Sequence, residues 1–178
     1  MVKPLFLAIA AIPIILSILI AIPMIVNPQI PFSATNAEDR ISIEFTKQSL
    51  EKISLGVTDR ITPLKTEILT IDNDGNAKYL ATIGNVNEPE KTAKLDSQYV
   101  KRLTALIKET GFMTIPTDTI QPNEDVKNYD RYTLKVMLNG QTKQIQWAEQ
   151  NATSTFIPPL ISNVQSEMQN ATQKVRQN

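Results

Sequence analysis

The chain contains no cysteine and no histidine. The first absence removes any disulfide framework and leaves the redox compartment unmarked. The second removes serine–histidine and cysteine–histidine nucleophile systems, zinc sites of the usual Cys/His kind, and a haem held on a histidine axial ligand. Any enzyme in this chain has to run on carboxylates, Lys, Tyr, Ser or Thr. An excess charge of one sign is missing too, since 18 Lys and Arg stand against 18 Asp and Glu. Without a basic excess or a Lys/Arg stripe, nucleic acid is not an expected partner. No internal repeat, GxGxxG or P-loop spacing occurs, and no cofactor or metal ion is expected.

What the chain does have is one long apolar run, Leu5 to Val26, with no charge and only Ser17 as a polar side chain. At about 1.5 Å of rise per residue a helix of that length measures roughly 33 Å, enough to cross a hydrocarbon core of about 30 Å. Pro13 predicts a kink and Pro23 a fraying toward the interface, both tolerated in a membrane helix because local adjustment re-satisfies the freed carbonyls. The run is longer than the roughly 7–15 apolar residues of a signal-peptide core, which favours an uncleaved anchor. A cleaved signal, with Lys3 as its basic start and Thr35-Asn36-Ala37 as its end, and a buried soluble helix are the competing readings.

The organisation expected is an anchor over residues 1–26, an extended linker over 27–39 carrying Pro28 and Pro31, and one domain over 40–178. Lys3 on one side of the run and Arg40, after Glu38 and Asp39, on the other make the positive-inside count nearly balanced. The usual layout of a tethered exported protein places the domain outside the cytoplasm, with the cytoplasmic orientation left open.

Alternation at Ile41, Ile43 and Phe45, and again at Ile53, Leu55 and Val57, predicts two half-buried strands, although the first pattern also suits a helix start through TKQSLEK. Thr66–Ile71 and Ala77–Ile83 flank Asp72-Asn73-Asp74-Gly75-Asn76 and predict a hairpin. Asp72 and Asp74 have the spacing of early EF-hand ligands, but aligning Gly75 with that loop's glycine puts Ala81 where the bidentate Glu belongs. A solvated turn is the expectation.

Asn85–Glu90 reads as a polar loop and Lys91–Leu95 as a short strand. Asp96 or Ser97 caps a helix to about Thr110, with Tyr99, Val100, Leu103, Leu106 and Ile107 on one face, Gly111 as its stop and Phe112 tucked beneath. Its other face, with Lys101, Arg102, Lys108 and Glu109, reads as solvated.

A second hairpin is predicted at Asn139-Gly140, where a two-residue turn sets Leu138 opposite Gln141, Leu134 opposite Ile145 and Tyr132 opposite Trp147. Tyr132 and Trp147 are expected in the core, with a ligand groove as the other use of two aromatics. From Pro158 a last helix carries Leu160, Ile161, Val164, Met168 and Ala171 on one side before a polar, frayed tail. Asn151-Ala152-Thr153 and Asn170-Ala171-Thr172 match the glycosylation acceptor pattern no more often than composition alone produces.

Pro116 to Asp130 holds the only candidate chemistry. Asp118, Glu124, Asp125 and Asp130 fall in one long loop, where binding groups concentrate on a rigid scaffold. A cation site or a carboxylate-pair hydrolase draws on such residues, although their spacing specifies neither, and a plain acidic surface loop uses them equally well.

The order Ile71-x-x-Asp74-Gly75, Tyr79, Leu103-x-x-Leu106 with Gly111-Phe112, Asp130, Thr133-Leu134 and Asn139-Gly140, closed by a helix, resembles a small uncharacterised domain family of exported bacterial and archaeal proteins. The likeness spans residues 50–170. Part of that family opens with a Cys-containing Gly/Pro-rich segment, whereas Gly56 to Pro63 here holds no Cys. The resemblance implies a fold and an exported address and carries over no catalytic residue.

The fold expected is α+β: a single N-terminal transmembrane helix, then an antiparallel sheet of about five or six strands covered by two amphipathic helices. The function expected is a membrane-tethered, non-enzymatic domain whose partners are the lipid bilayer, through the N-terminal helix, and another membrane or envelope protein. The alternative is an extracytoplasmic hydrolase, carboxylate- or cation-dependent, on the Asp118–Asp130 loop. In a third reading the anchor is itself the contact, packing in the bilayer through Ala8, Ala10 and Ala11.

Overall fold

Alternating apolar residues at Ile41, Ile43 and Phe45 open one strand, β1 (Ile41–Ser54), of 14 residues. The structure, a computed structural model, describes residues 35–36 and 38–177, so the expected anchor Leu5–Val26 and most of the linker lie outside it. Among the described residues no helix is long and apolar enough to cross a membrane.

After β1 come β2 (Asp59–Ile71), β3 (Asn76–Ile83), β4 (Val86–Asn87), β5 (Lys91–Lys94), α1 (Ser97–Glu109), β6 (Thr119–Ile120), β7 (Asn128–Leu138), β8 (Gln141–Ala148) and α2 (Pro159–Gln177). They make one sheet in the order β4-β3-β2-β1-β7-β8-β6, with β5 on the same outer edge of β3 as β4. The mixed α+β architecture, a multi-strand sheet with two helices, is as expected from the residue pattern.

The strand count is 8 rather than the expected five or six. Two of the extra strands, β4 and β6, are 2 residues long and lie in segments read as polar loops. One pairing is parallel, β6 on β8 through Thr119 and Gln146. The two separate strands expected at the start are a single β1. The TKQSLEK stretch is strand and not helix, because it pairs with β2 on one side and β7 on the other. Such tertiary pairing outweighs the weak helix preference of Lys, Gln and Glu. Leu55 and Val57 consequently fall in the loop after β1 and stand in solvent.

The helix-facing side of the sheet is apolar through Ile43, Phe45, Leu69, Ile71, Leu134, Val136, Ile145 and Trp147, all buried. Each such side chain contributes about 1.5–3 kcal/mol. α1 buries Tyr99, Val100, Leu103, Leu106 and Ile107 as its spacing implies. α2 buries Ile161, Val164, Met168, Ala171 and also Val175, so the tail expected to fray is helical to Gln177. Trp147 is anchored at one end of this layer, its indole N–H donating to Gln165 Oε1 at 2.8 Å.

The second hairpin has the expected register, including Leu138 opposite Gln141 and Tyr132 opposite Trp147. Asn139 and Gly140 take φ of 51° and 83°, as a tight turn between right-twisted strands requires. In the first hairpin Asp72 Oδ1 accepts the N–H groups of Asp74 and Asn76, both at 2.9 Å, so this carboxylate builds the turn.

Between Ser49 and Leu50 the β1–β2 register shifts, leaving Leu64 as the extra residue on β2. Leu50 then packs with Tyr129, Ala148 and Ala152 in a small second core, against which Val126 closes.

The chain enters the domain through a clasp. Asp39, with its side chain 6 % exposed, pairs with Lys108 Nζ at 2.9 Å. It also accepts hydrogen bonds from Asn139 Nδ2 at 2.8 Å and from the Asn36 N–H at 2.7 Å. Asn139 Oδ1 in turn accepts the Arg40 N–H at 2.9 Å, and Asn73 Oδ1 accepts that of Ile41 at 3.1 Å. The end of the linker is thereby joined to α1 and to both hairpin turns.

Burial alone would raise the Asp39 carboxyl, but the hydrogen bonds from Asn139, Lys108 and Asn36, with the Lys108 charge, bring it from 3.8 to about 2. Because the folded value is the lower one, the stabilisation is present above 3.8 and lost as pH falls through about 2. Asp39→Asn should cost about 1–2 kcal/mol near neutrality. In urea titrations at stepped pH, the gap to the wild type should close across that acid window.

Candidate functional site

Two strands carry a charge where their inward pattern calls for an apolar residue. On β1 the inward series runs Ile43, Phe45, Lys47, and on β2 it runs Ile71, Leu69, Glu67, with Lys47 opposite Glu67 in the register. The apolar rows of the sheet therefore give way to a charged row at this point. The C-terminal half of α2 crosses beside it, leaving a groove of about 280 Å³. Phe45, Leu69 and Tyr79 line its apolar part, Lys47, Glu67 and Arg176 its charged part, and Gln169, Thr172 and Gln173 face it from the helix.

Glu67, 12 % exposed, lies at the centre of the charged part. It accepts the Tyr79 hydroxyl at 2.5 Å and Lys65 Nζ at 3.1 Å, and forms an ion pair with Arg176 Nη1 at 3.5 Å. Burial pushes its carboxyl up, yet the hydrogen bonds from Tyr79 and Lys65 and the nearby Arg176 charge hold it below its ordinary value. Burial, followed by the bond to this anion, pushes the Tyr79 hydroxyl far above the usual phenol range. The Arg176 guanidinium also lies 5.6 Å from the Tyr79 ring centroid, which ties the end of α2 to β3.

Lys47 pairs with Asp130 at 2.9 Å, and Ser49 Oγ donates to the same carboxylate at 2.7 Å. A serine and a lysine on one carboxylate invite a nucleophile reading, in which the amine takes the hydroxyl proton. That role needs an amine that releases its proton readily. Burial lowers Lys47, but the hydrogen bond from its ammonium to Asp130, together with the charge interactions with Tyr132, Asp130 and Glu67, outweighs this and the proton is held more tightly than usual. The charges of the groove are paired within the domain, with the helix-borne amides of Gln169 and Gln173 beside them.

The four acidic residues singled out from the sequence are not gathered in one place. Asp118, with a side chain 73 % exposed, pairs with Lys143. Glu124 and Asp125 are exposed. Asp130 lies on β7 and reaches the groove only through Lys47. Among the described residues no group of three or more Asp or Glu is placed to hold a metal ion. The segment instead covers the second core: Val126 packs on it, and the Asn123 N–H donates to the Ala152 carbonyl at 2.7 Å.

Lys47, Glu67 and Arg176 belong to no motif, and Tyr79 stands out in the sequence only as a landmark of the family resemblance. The available signal was a charge at an inward position in each of two alternating runs. No protein-family model matches the chain, and no curated protein sequence matches it.

Glu67→Gln removes the anion that three neighbours share and should cost about 1–2 kcal/mol. The same change should let Tyr79 ionise at lower pH, read by ultraviolet difference titration against the wild type. An unchanged tyrosine titration would mean that burial alone sets it.

Proposed function

We propose that the chain is a membrane-tethered, non-enzymatic domain that binds or supports another membrane or envelope protein. The observation that carries this reading is the Asp39 clasp, which joins the end of the linker to α1 and to both hairpin turns. A linker that merely trails from a domain needs no buried carboxylate, whereas a domain presented from a tether gains from a fixed entry point. The apolar run Leu5–Val26 is the proposed tether, residues 27–39 the spacer, and the proposed side is the one outside the cytoplasm. The resemblance to small exported domains supports the same address. The hydrolase alternative finds no support in the Asp118–Asp130 segment, whose carboxylates turn to different cations or to solvent.

The full chain should resist extraction from membranes by an alkaline carbonate wash, while a chain starting at Thr35 should stay in the soluble fraction. Protease added to cells with any outer barrier opened should digest the domain without lysis. Full chain recovered in the carbonate supernatant would sink the tether, and digestion only after lysis would reverse the side.

A further inference from the structure

β7 pairs with β1 only as far as Glu51, and β3 pairs with β2 only from Lys65. From Ile53 to Pro63 the two strands therefore pair with each other alone, as a two-stranded ribbon beyond the paired part of the sheet. Two-stranded ribbons are marginal in water and normally end in polar residues. This one ends in Leu55-Gly56-Val57-Thr58, with Leu55 64 % and Val57 101 % exposed. Ile53 on one face of the ribbon and Ile61 on the other are 41 % and 47 % exposed. Clustered apolar exposure of this kind marks an interaction surface.

We infer that this tip is a docking element for a protein partner offering an apolar cleft with an acidic group at its rim. The charges around the tip give the complement. Lys52 and Asp59 neutralise each other at 2.8 Å, while Arg60 is exposed and has no hydrogen-bond or ion-pair partner among the described residues. One unpaired cation beside apolar side chains calls for one anion at the edge of what receives them.

The ribbon's edges do not invite strand addition. Pro63 has no N–H, and the Lys52 N–H is already bonded to the Lys127 carbonyl at 2.6 Å. Pairing of two tips from two copies is disfavoured, because it would bring the exposed Arg60 of each toward the other with no anion to meet it. A cleft that encloses the tip makes use of all its sides. The chain enters the domain at the far end of β1, about 45 Å from the tip along the strand.

The inference rests on the tethered reading only for where the partner is sought. Its test places photoreactive benzoylphenylalanine at Val57, or at Lys135 on the open sheet face as a control, in the full chain in its native membranes. The expected result is one discrete protein adduct from position 57 and none from 135, with an Asp or Glu near the captured peptide. Arg60→Glu should lower its yield about tenfold, and reversing the partner's acid to Lys should restore it. Adducts to phospholipid alone, adducts between two copies, equal yield at 135, or indifference to Arg60→Glu would each overturn the inference. Fractionating the same sample separates the two claims. A Val57 adduct on chain found in the soluble fraction sinks the tether and keeps the docking, and membrane-bound chain without the adduct does the reverse.

Discussion

Two-sided pairing of β1 is the constraint on which the rest depends. Its residues from Ile43 to Ser49 are bonded in register to β2 and to β7 at once. Each inward side chain on β1 therefore lies in a row that crosses the sheet, and what β1 places in a row decides what the helices can cover. Phe45 sits between Leu69 and Leu134, and that row is closed by apolar packing. One step along, Lys47 sits between Glu67 and Tyr132, and a row of that kind cannot be sealed by a hydrophobic helix face. The groove beside α2 follows from this change of residue type on one strand.

The charges in the groove illustrate how a partly buried polar cluster is made tolerable. Glu67 is shielded from water and compensated by a phenol, an ammonium and a guanidinium, each from a different strand or helix. Lys47 is compensated from β7 by Asp130. No buried side-chain polar atom among the described residues lacks a partner. The same satisfaction removes reactivity, because a lysine that keeps its proton and a carboxylate already neutralised are poor bases.

Much of the fold could be read from the chain where local chemistry and long-range packing agreed. Asn139-Gly140 set the register of the second hairpin because a two-residue turn leaves no freedom, and the periodicity of Tyr99 to Ile107 identified α1 with its buried face. Reading failed where structure came from partners distant in sequence. Thr46 to Lys52 has no strong local preference and becomes strand through pairing with residues 9 to 22 positions away on β2 and, as far as Glu51, 77 to 87 positions away on β7. β4 and β6 are too short to carry a period. Val175 stays helical because it has a core to enter, which the polar residues around it conceal. The groove was invisible for a related reason: Lys47, Glu67 and Arg176 converge only after three separate elements have packed.

The long central strand has a mechanical consequence. The chain passes from the Asp39 clasp straight into Ile41, so a pull on the amino-terminal side, once past the clasp, loads β1 along its own axis. Antiparallel hydrogen bonds lie perpendicular to the strands, and those joining β1 to β2 and β7 would take such a load side by side, in shear, instead of opening one after another as at a peeled edge. Traction directed along β1 would meet the most heavily bonded strand in the sheet, and the domain would yield as a unit or hold.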